Sequence, residues 1–318
     1  MGKIHYGSRS MRALMTTLLL LSSACTRQEE PSQGGEVFYR ESGPDGTELI
    51  LRERPVRIVP TSSSTADIVL ALVDIERIAG LPETVHSYSH EVAVNGLPEG
   101  LPSFTHYTGE SLLALSPDLV IGHIYQELGT TMVLRQSGIP VYSMQYPKSA
   151  EDVIADVESL SILLGERTRG EELARDLRAR LESLRKDKTR SHLRTLTYTN
   201  LGSGVWTAGA GSSVDLLIKL AGMQNAGAEG DREMDYQIDT ERLVVLDPDI
   251  ILVAGSVSGL TPSLEFLKED QMLLGLKAVQ NDHIVVLPST LFSCNSQHLL
   301  TAAEALRDAV DVLPRAKK

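Results

Sequence analysis

Short apolar runs alternate along the chain with longer stretches in which apolar positions recur every three or four residues. The short runs are RIVP at 57–60, DLVIG at 118–122, PVYSM at 140–144, TLTYT at 195–199, DIILVA at 249–254 and HIVVLP at 283–288. Runs that are apolar on both faces and separated by helical periodicity predict parallel sheets covered by helices, an α/β fold. The longest helical periodicity extends from Ser149, a candidate cap, to about Arg190, with an interruption at Gly165. Its second half, EELARDLRARLESLRKDK, carries mixed charge that reads as a solvated face. Ahead of these elements EVFYRE and TELILRE flank SGPDG and predict a β-hairpin, with the body beginning near Pro55.

The pattern repeats. ESLLALSPDLVI at 110–121 and ERLVVLDPDIIL at 241–252 share Glu-x-Leu-x-x-Leu-x-Pro-Asp before an apolar strand, 131 residues apart. Upstream of each lies a second pair, STADIVLAL at 64–72 and SSVDLLIKL at 212–220, in the same order. Two such pairs predict two similar lobes, each with a capped helix, a short helix, a Pro-Asp turn and a buried strand. In the upstream pair Ser stands three residues before Asp, a capping pattern at Ser64 with Asp67 and at Ser212 with Asp215. Glu110 and Glu241 fall at equivalent positions, one per lobe, where a carboxylate also suits a helix N-terminus.

Composition bounds what these lobes can do. The chain has 318 residues, 42% hydrophobic and 23% charged, with a formal charge of −12. That is globular, and the acidic balance without a basic face excludes nucleic acid as a partner. The first 24 residues have the pattern of a secretion signal: Lys3, Arg9 and Arg12, then a nine-residue apolar core from Ala13 to Leu21, too short to span a bilayer, then small residues. LSSAC resembles a bacterial lipobox, which implies cleavage before Cys25 and a lipid on its thiol; cleavage near Ala24 without lipid is the alternative. The polar stretch TRQEEPSQGG then reads as a tether. Only Cys25 and Cys294 are present, so lipidation of the first leaves no intramolecular disulfide, and Cys294 reads as a small buried filler.

From about residue 50 to 312 the chain resembles the substrate-binding proteins of bacterial ABC importers that carry cobalamin, haem and ferric siderophores. The resemblance rests on an ordered set: RPVRIVPTSSSTADIVLAL, GESLLALSPDLVI, GIPVYSM, the helical linker, WTAGAGSSVDLLIKLAGMQNAG, DTERLVVLDPDIILV and HIVVLP before a terminal helix. It implies two Rossmann-like lobes with parallel sheets, joined by a single long helix near 149–164, with limited hinge motion and a ligand cleft between them. The expected organisation is a signal at 1–24, a lipidated tether and hairpin at 25–54, an N-terminal lobe at 55–148, a linking helical region at 149–190 and a C-terminal lobe at 191–318. In the family a Glu matching Glu110 and one matching Glu241 dock on Arg residues of the permease. No intrinsic cofactor is implied. The partners are a metal-chelate ligand, the permease and its ATPase, and a membrane reached through the lipid, with the binding protein monomeric in the extracytoplasmic envelope.

Ligands of parallel α/β sheets sit beyond the carboxyl ends of the strands. The loops expected there hold His86, His90, His106, His123, His283 and His298, with Tyr88, Tyr107 and Tyr125. They also hold Trp206, the only tryptophan, which can stack on a flat ligand or act as a packing plug. Candidate ligand contacts are His106, Tyr107, Trp206, Ser63, Ser64 and Tyr236. His86, His90 and His106 fall in one 21-residue window and are candidate metal ligands, although exposed loop histidines without a role are common. Two other readings stay open: a binding protein for a bare transition-metal ion, and a secreted metal-dependent hydrolase. The hydrolase reading lacks a G-x-S-x-G or H-E-x-x-H pattern.

Overall fold

The computed structural model describes residues 37–42, 48–124, 126, 128–230, 232–256 and 261–314. The expected signal peptide, Cys25 and the tether lie outside the described residues, as do the tip of the hairpin at 43–47 and Tyr125. The hairpin strands β1 (Tyr39–Ser42) and β2 (Glu48–Leu51) pair antiparallel with Tyr39 opposite Leu51.

The first lobe runs β3 (Ile58–Pro60), α1 (Ser63–Leu72), β4 (Leu81–Pro82), α2 (Val85–Tyr88), α3 (His90–Asn95), β5 (Ser103–Phe104), α4 (Gly109–Leu113), β6 (Leu119–His123), α5 (Leu128–Gln136) and β7 (Val141–Met144). β3, β6 and β7 form one parallel sheet in that order, and β4 pairs parallel with β5. Alternate residues of β6 serve two cores: Leu119 and Ile121 join one apolar cluster, while Val120 joins another with Leu112 and Leu134. The cap of α1 differs from expectation. Ser62, not Ser64, closes the box with Thr65, whose hydroxyl accepts from the Ser62 amide at 3.0 Å. Asp67 is thereby released from capping.

Two helices follow, α6 (Ala150–Leu163) and α7 (Arg167–Lys186). Ser149 caps α6 as expected, accepting from Asp152 N at 3.1 Å. Gly165 ends it with φ of +72°, and Glu166 N and Gly165 N donate back to Ser161 O and Ile162 O in a Schellman arrangement. The Arg77 guanidinium donates to Leu164 O at 2.8 Å and to Glu166 at 2.7 Å, so a cation sits on the helix end. The chain then turns back, and α6 and α7 pack closely because residue 170 is glycine. A Cβ placed there would lie 2.1 Å from Ser161 Cβ.

The second lobe runs β8 (Arg194–Thr197), β9 (Thr199–Asn200), β10 (Val205–Ala208), α8 (Ser213–Leu220), β11 (Gln224–Asn225), β12 (Asp235–Ile238), α9 (Thr240–Leu246), β13 (Ile250–Gly255), α10 (Pro262–Glu269), α11 (Lys277–Gln280), β14 (Ile284–Pro288), α12 (Ser289–Phe292) and α13 (Leu299–Asp311). Its parallel sheet has the order β11-β8-β13-β14, and β12-β10-β9 forms a separate antiparallel sheet. The sequence pattern puts Trp206 in a loop, whereas it lies on the central strand of this antiparallel sheet.

The link between the lobes also differs from the expected single helix at 149–164. It is α7 that reaches both lobes. Arg169 at its start donates to Leu72 O, while near its other end Arg180 grips Glu304 and Leu184 O accepts from Arg307. Nor is it the sole connection, because α2 and α3 of the first lobe contact α12 and the segment after it in the second.

Candidate functional site

A cavity of about 620 Å³ opens where the carboxyl ends of the second lobe's parallel strands come together. β8 and the chain after it bring Thr197 and Thr199, β13 brings Ala254 and Gly255, and Ser289 and Phe292 follow β14. The antiparallel sheet forms another wall through Trp206, Thr207 and Asp235. The first lobe contributes Tyr88, at the end of α2.

Each wall residue is held by its own element. Thr197 Oγ1 accepts from Ala208 N at 2.7 Å and lies 3.1 Å from Thr207 Oγ1, which ties β8 to β10 behind the cavity. Ser263 Oγ accepts from Asn200 N at 2.9 Å and donates to its carbonyl at 3.1 Å, which fixes the chain after β9 against α10. Trp206 lies on β10 opposite Gln237 and keeps 41% of its surface exposed, with Leu201 and Met234 also exposed. An indole anchored on a strand and left partly exposed has surface free to stack on a flat ligand.

The charge of the wall is its most informative property. Eight Ser and Thr side chains line it, and among the described lining residues the only charged group is Asp235, with no Lys or Arg. Partial burial pushes the Asp235 carboxyl above its ordinary range, and the Ser212 hydroxyl bonded to it pulls the other way. Such a surface offers hydroxyls and one acid to a ligand. It offers no countercharge to an anionic ligand.

Of the six candidate ligand contacts only Trp206 lines this cavity, joined by Tyr88 from the loops expected at the cleft. Tyr236 turns away: its hydroxyl donates to Gly227 O at 2.8 Å and the Arg232 guanidinium lies 5.5 Å over its ring. Ser63 and Ser64 sit half-buried in the first turn of α1, with Ser63 Oγ 3.4 Å from Thr84 Oγ1. His106 is exposed before α4, and Tyr107 packs into the first lobe with its hydroxyl 3.3 Å from Thr131 Oγ1. His86, His90 and His106 do not converge, and among the described residues no group of three metal-ligating side chains is placed to hold an ion. His86 is exposed on α2, whereas His90 faces the other lobe, its Nδ1 3.5 Å from Thr290 Oγ1 and its ring 4.7 Å from His298. Among the described residues the structure thus does not bring His86, His90 and His106 together.

The wall residues that sequence reasoning misses, Thr197, Thr199, Asp235 and Phe292, are scattered singly through four elements. One signal was available, since Thr195, Thr197 and Thr199 alternate through the β8 region and place hydroxyls on one face at its carboxyl end.

Glu110 and Glu241 stand alike, each exposed in the first turn of a short helix. Thr108 caps α4 by accepting from Ser111 N at 3.2 Å, and Asp239 caps α9 by accepting from Arg242 N at 2.7 Å. Both helices precede interior strands of the parallel sheets, β6 and β13.

Two parallel-sheet lobes, a long helix that reaches both and a cavity at the strand ends define a two-lobe solute-binding protein. The chain belongs to the periplasmic binding protein family, whose model matches residues 58–291. A cobalamin-binding protein of Halobacterium salinarum is 26% identical over 225 residues, covering 69% of this chain and 59% of that protein. A vitamin B12-binding protein of Vibrio cholerae is 26% identical over 200 residues, 61% of this chain and 68% of that protein. The chain thus spans 59% of the length of the archaeal relative it matches. Among solved structures, a periplasmic heme binding protein from Pseudomonas aeruginosa superposes with a TM-score of 0.70 at 25% identity, over 83% of this chain and 94% of that one.

Proposed function

We propose that this chain is the extracytoplasmic binding protein of an ABC importer and that its ligand is a corrinoid of the cobalamin class. The observation that carries the choice of ligand is the cavity wall: hydroxyls, an exposed indole and one carboxylate, with no cation among the described lining residues. Haem presents two carboxylates and many ferric chelates are anionic, so seating them beside the Asp235 carboxylate without a countercharge is unfavourable. A corrin carries neutral amides around a flat macrocycle, which suits hydroxyl partners and a stacking ring. The two relatives named for cobalamin or vitamin B12 support the same reading. The family is one of binding proteins, so no catalysis is assigned.

The remaining expectations complete the proposal. Residues 1–24 direct export, Cys25 carries the lipid, and residues 55–148 and 191–318 form the lobes of a monomer. Glu110 and Glu241 dock one lobe each on basic pockets of a permease, whose ATPase drives uptake. The test is uptake of radiolabelled cyanocobalamin into vesicles holding the partner permease and ATPase. Uptake that requires this protein is expected; saturable uptake of a haem or a ferric hydroxamate instead, with none of cyanocobalamin, contradicts the proposal.

A further inference from the structure

Asp67 and Asp215 occupy matching places in the two repeats and are used differently. Asp215 works inside its own lobe, accepting from Gly211 N at 2.9 Å, Lys219 Nζ at 2.7 Å and Asn225 Nδ2 at 3.0 Å. Asp67 is 1% exposed and takes hydroxyl and amide donors instead of a cation. Its Oδ1 accepts from Ser89 Oγ at 2.5 Å and Glu91 N at 3.1 Å, both in the first lobe. Its Oδ2 accepts from Ser296 Oγ at 2.9 Å, and its carbonyl accepts from Gln297 Nε2 at 2.8 Å, both in the second lobe. A buried carboxylate without a cation is costly unless its oxygens are bonded, so the position is strongly tied to these donors. Capping does not explain it, because Ser62 and Thr65 cap α1.

The same seam holds further bonds between lobes. Ser289 Oγ donates to Ser87 O at 2.6 Å, and His298 Nε2 lies 2.9 Å from Glu91 Oε2. The seam backs the cavity directly. Tyr88 stands between Ser87 and Ser89 on one wall, and Phe292 and Ser293 stand between Ser289 and Ser296 on the other.

We infer that Asp67 is a positioning residue, a buried clasp that uses one oxygen to fix the Ser89–Glu91 corner beside Tyr88 and the other to fix Ser296 beyond Phe292 and Ser293. Both cavity walls are thereby held at one separation, and release of ligand requires the clasp to yield. Rigidity of the two lobes resides in this seam as well as in α7.

Amide hydrogen exchange on the ligand-free full chain tests this. Ser296→Ala removes the second lobe's donor to the Asp67 carboxylate, together with the Ser296 Oγ contacts to Cys294 Sγ and His298 N, and exchange at Glu91 and Val92 in the first lobe should accelerate by about tenfold or more, the effect expected of losing a buried bond to a charged group. Exchange in α13 and β6 should stay as in the wild type. Gln297→Ala should act in the same direction, and Asp67→Asn should loosen both corners together. If Asp67→Asn fails to fold, the two single-donor variants still decide the matter. Exchange at Glu91 and Val92 within twofold of wild type in Ser296→Ala, or an equal rise everywhere in the chain, overturns the clasp. A second arm measures dissociation of cyanocobalamin, expected several-fold faster in Ser296→Ala at unchanged stoichiometry. That arm rests on the corrinoid reading; wild-type protein that binds no cyanocobalamin defeats that reading alone, because the exchange arm uses no ligand.

Discussion

His123 ends β6 with 5% of its surface exposed, and its ring stacks on Tyr146 with centroids 4.5 Å apart and planes 3° from parallel. Its Nδ1 is buried without a hydrogen-bond partner, and burial pushes its pKa down to about 4. A histidine whose folded pKa is depressed favours folding fully above its unfolded value near 6.5, and that contribution is lost as pH falls toward 4. Thermal melts of the wild type should therefore lose about 3 kcal/mol of stability from this group between pH 6.5 and 4. His123→Gln should flatten that slope, and an identical slope in the variant would assign the pH dependence elsewhere. Trp206 is the second residue of this kind. Trp206→Ala should weaken cyanocobalamin binding by roughly 1–3 kcal/mol, the range for a buried aromatic contact, with the melting temperature nearly unchanged. Unchanged affinity with a lowered melting temperature would instead make the indole a packing plug.

At the scale of elements, the six apolar runs lie where β3, β6, β7, β8, β13 and β14 form; β3, β6 and β13 are buried on both faces, which leaves little freedom in composition, while β14 alternates between buried and exposed positions. Ser149 and Gly165 mark the start and end of α6 in the sequence itself, one as a cap and one as the only residue type at ease at φ +72°. What the sequence did not disclose were β9, β10 and β12. They are short, half-exposed and antiparallel, and with no alternation longer than four residues they resemble loop, so Trp206 was placed in a loop when it lies on a strand. The choice between α6 and α7 as the lobe-spanning helix was equally hidden, since it depends on which lobe each terminus packs against. Asp156 on α6 supplies a test of this packing. Burial, with Asp152 nearby, pushes its pKa up to about 7. A carboxylate with a raised pKa favours folding below the ordinary carboxylate range and loses that contribution as pH rises through 7. Asp156→Asn should thus raise the melting temperature most at pH 8, with the gain shrinking as pH falls and gone near pH 3; no gain at pH 8 would mean that the carboxylate is solvated.

For the whole molecule, the repeat was visible as two copies of Glu-x-Leu-x-x-Leu-x-Pro-Asp, and its equivalence survives in three dimensions at Glu110 and Glu241. The ligand wall was not visible, because the cavity draws single residues from both lobes and its meaning lies in a charge balance that no motif records. If the two glutamates dock on a permease, replacing both with Ala should leave cyanocobalamin affinity unchanged and reduce uptake in vesicles, and reversal to Lys should reduce it further. Normal uptake by the double variant, with only a small stability loss, would restrict both residues to stabilising helix ends.

Whether the cavity takes a neutral corrinoid and rejects anionic macrocycles can be read from the chain's one tryptophan. Trp206 lines the cavity, so its fluorescence reports occupancy without any label. Titration with cyanocobalamin should quench it saturably at one ligand per protein, and haemin should need at least about a hundredfold higher concentration to compete, the discrimination that an uncompensated buried charge imposes. Saturable one-to-one quenching by haemin at lower concentration than cyanocobalamin would contradict the account.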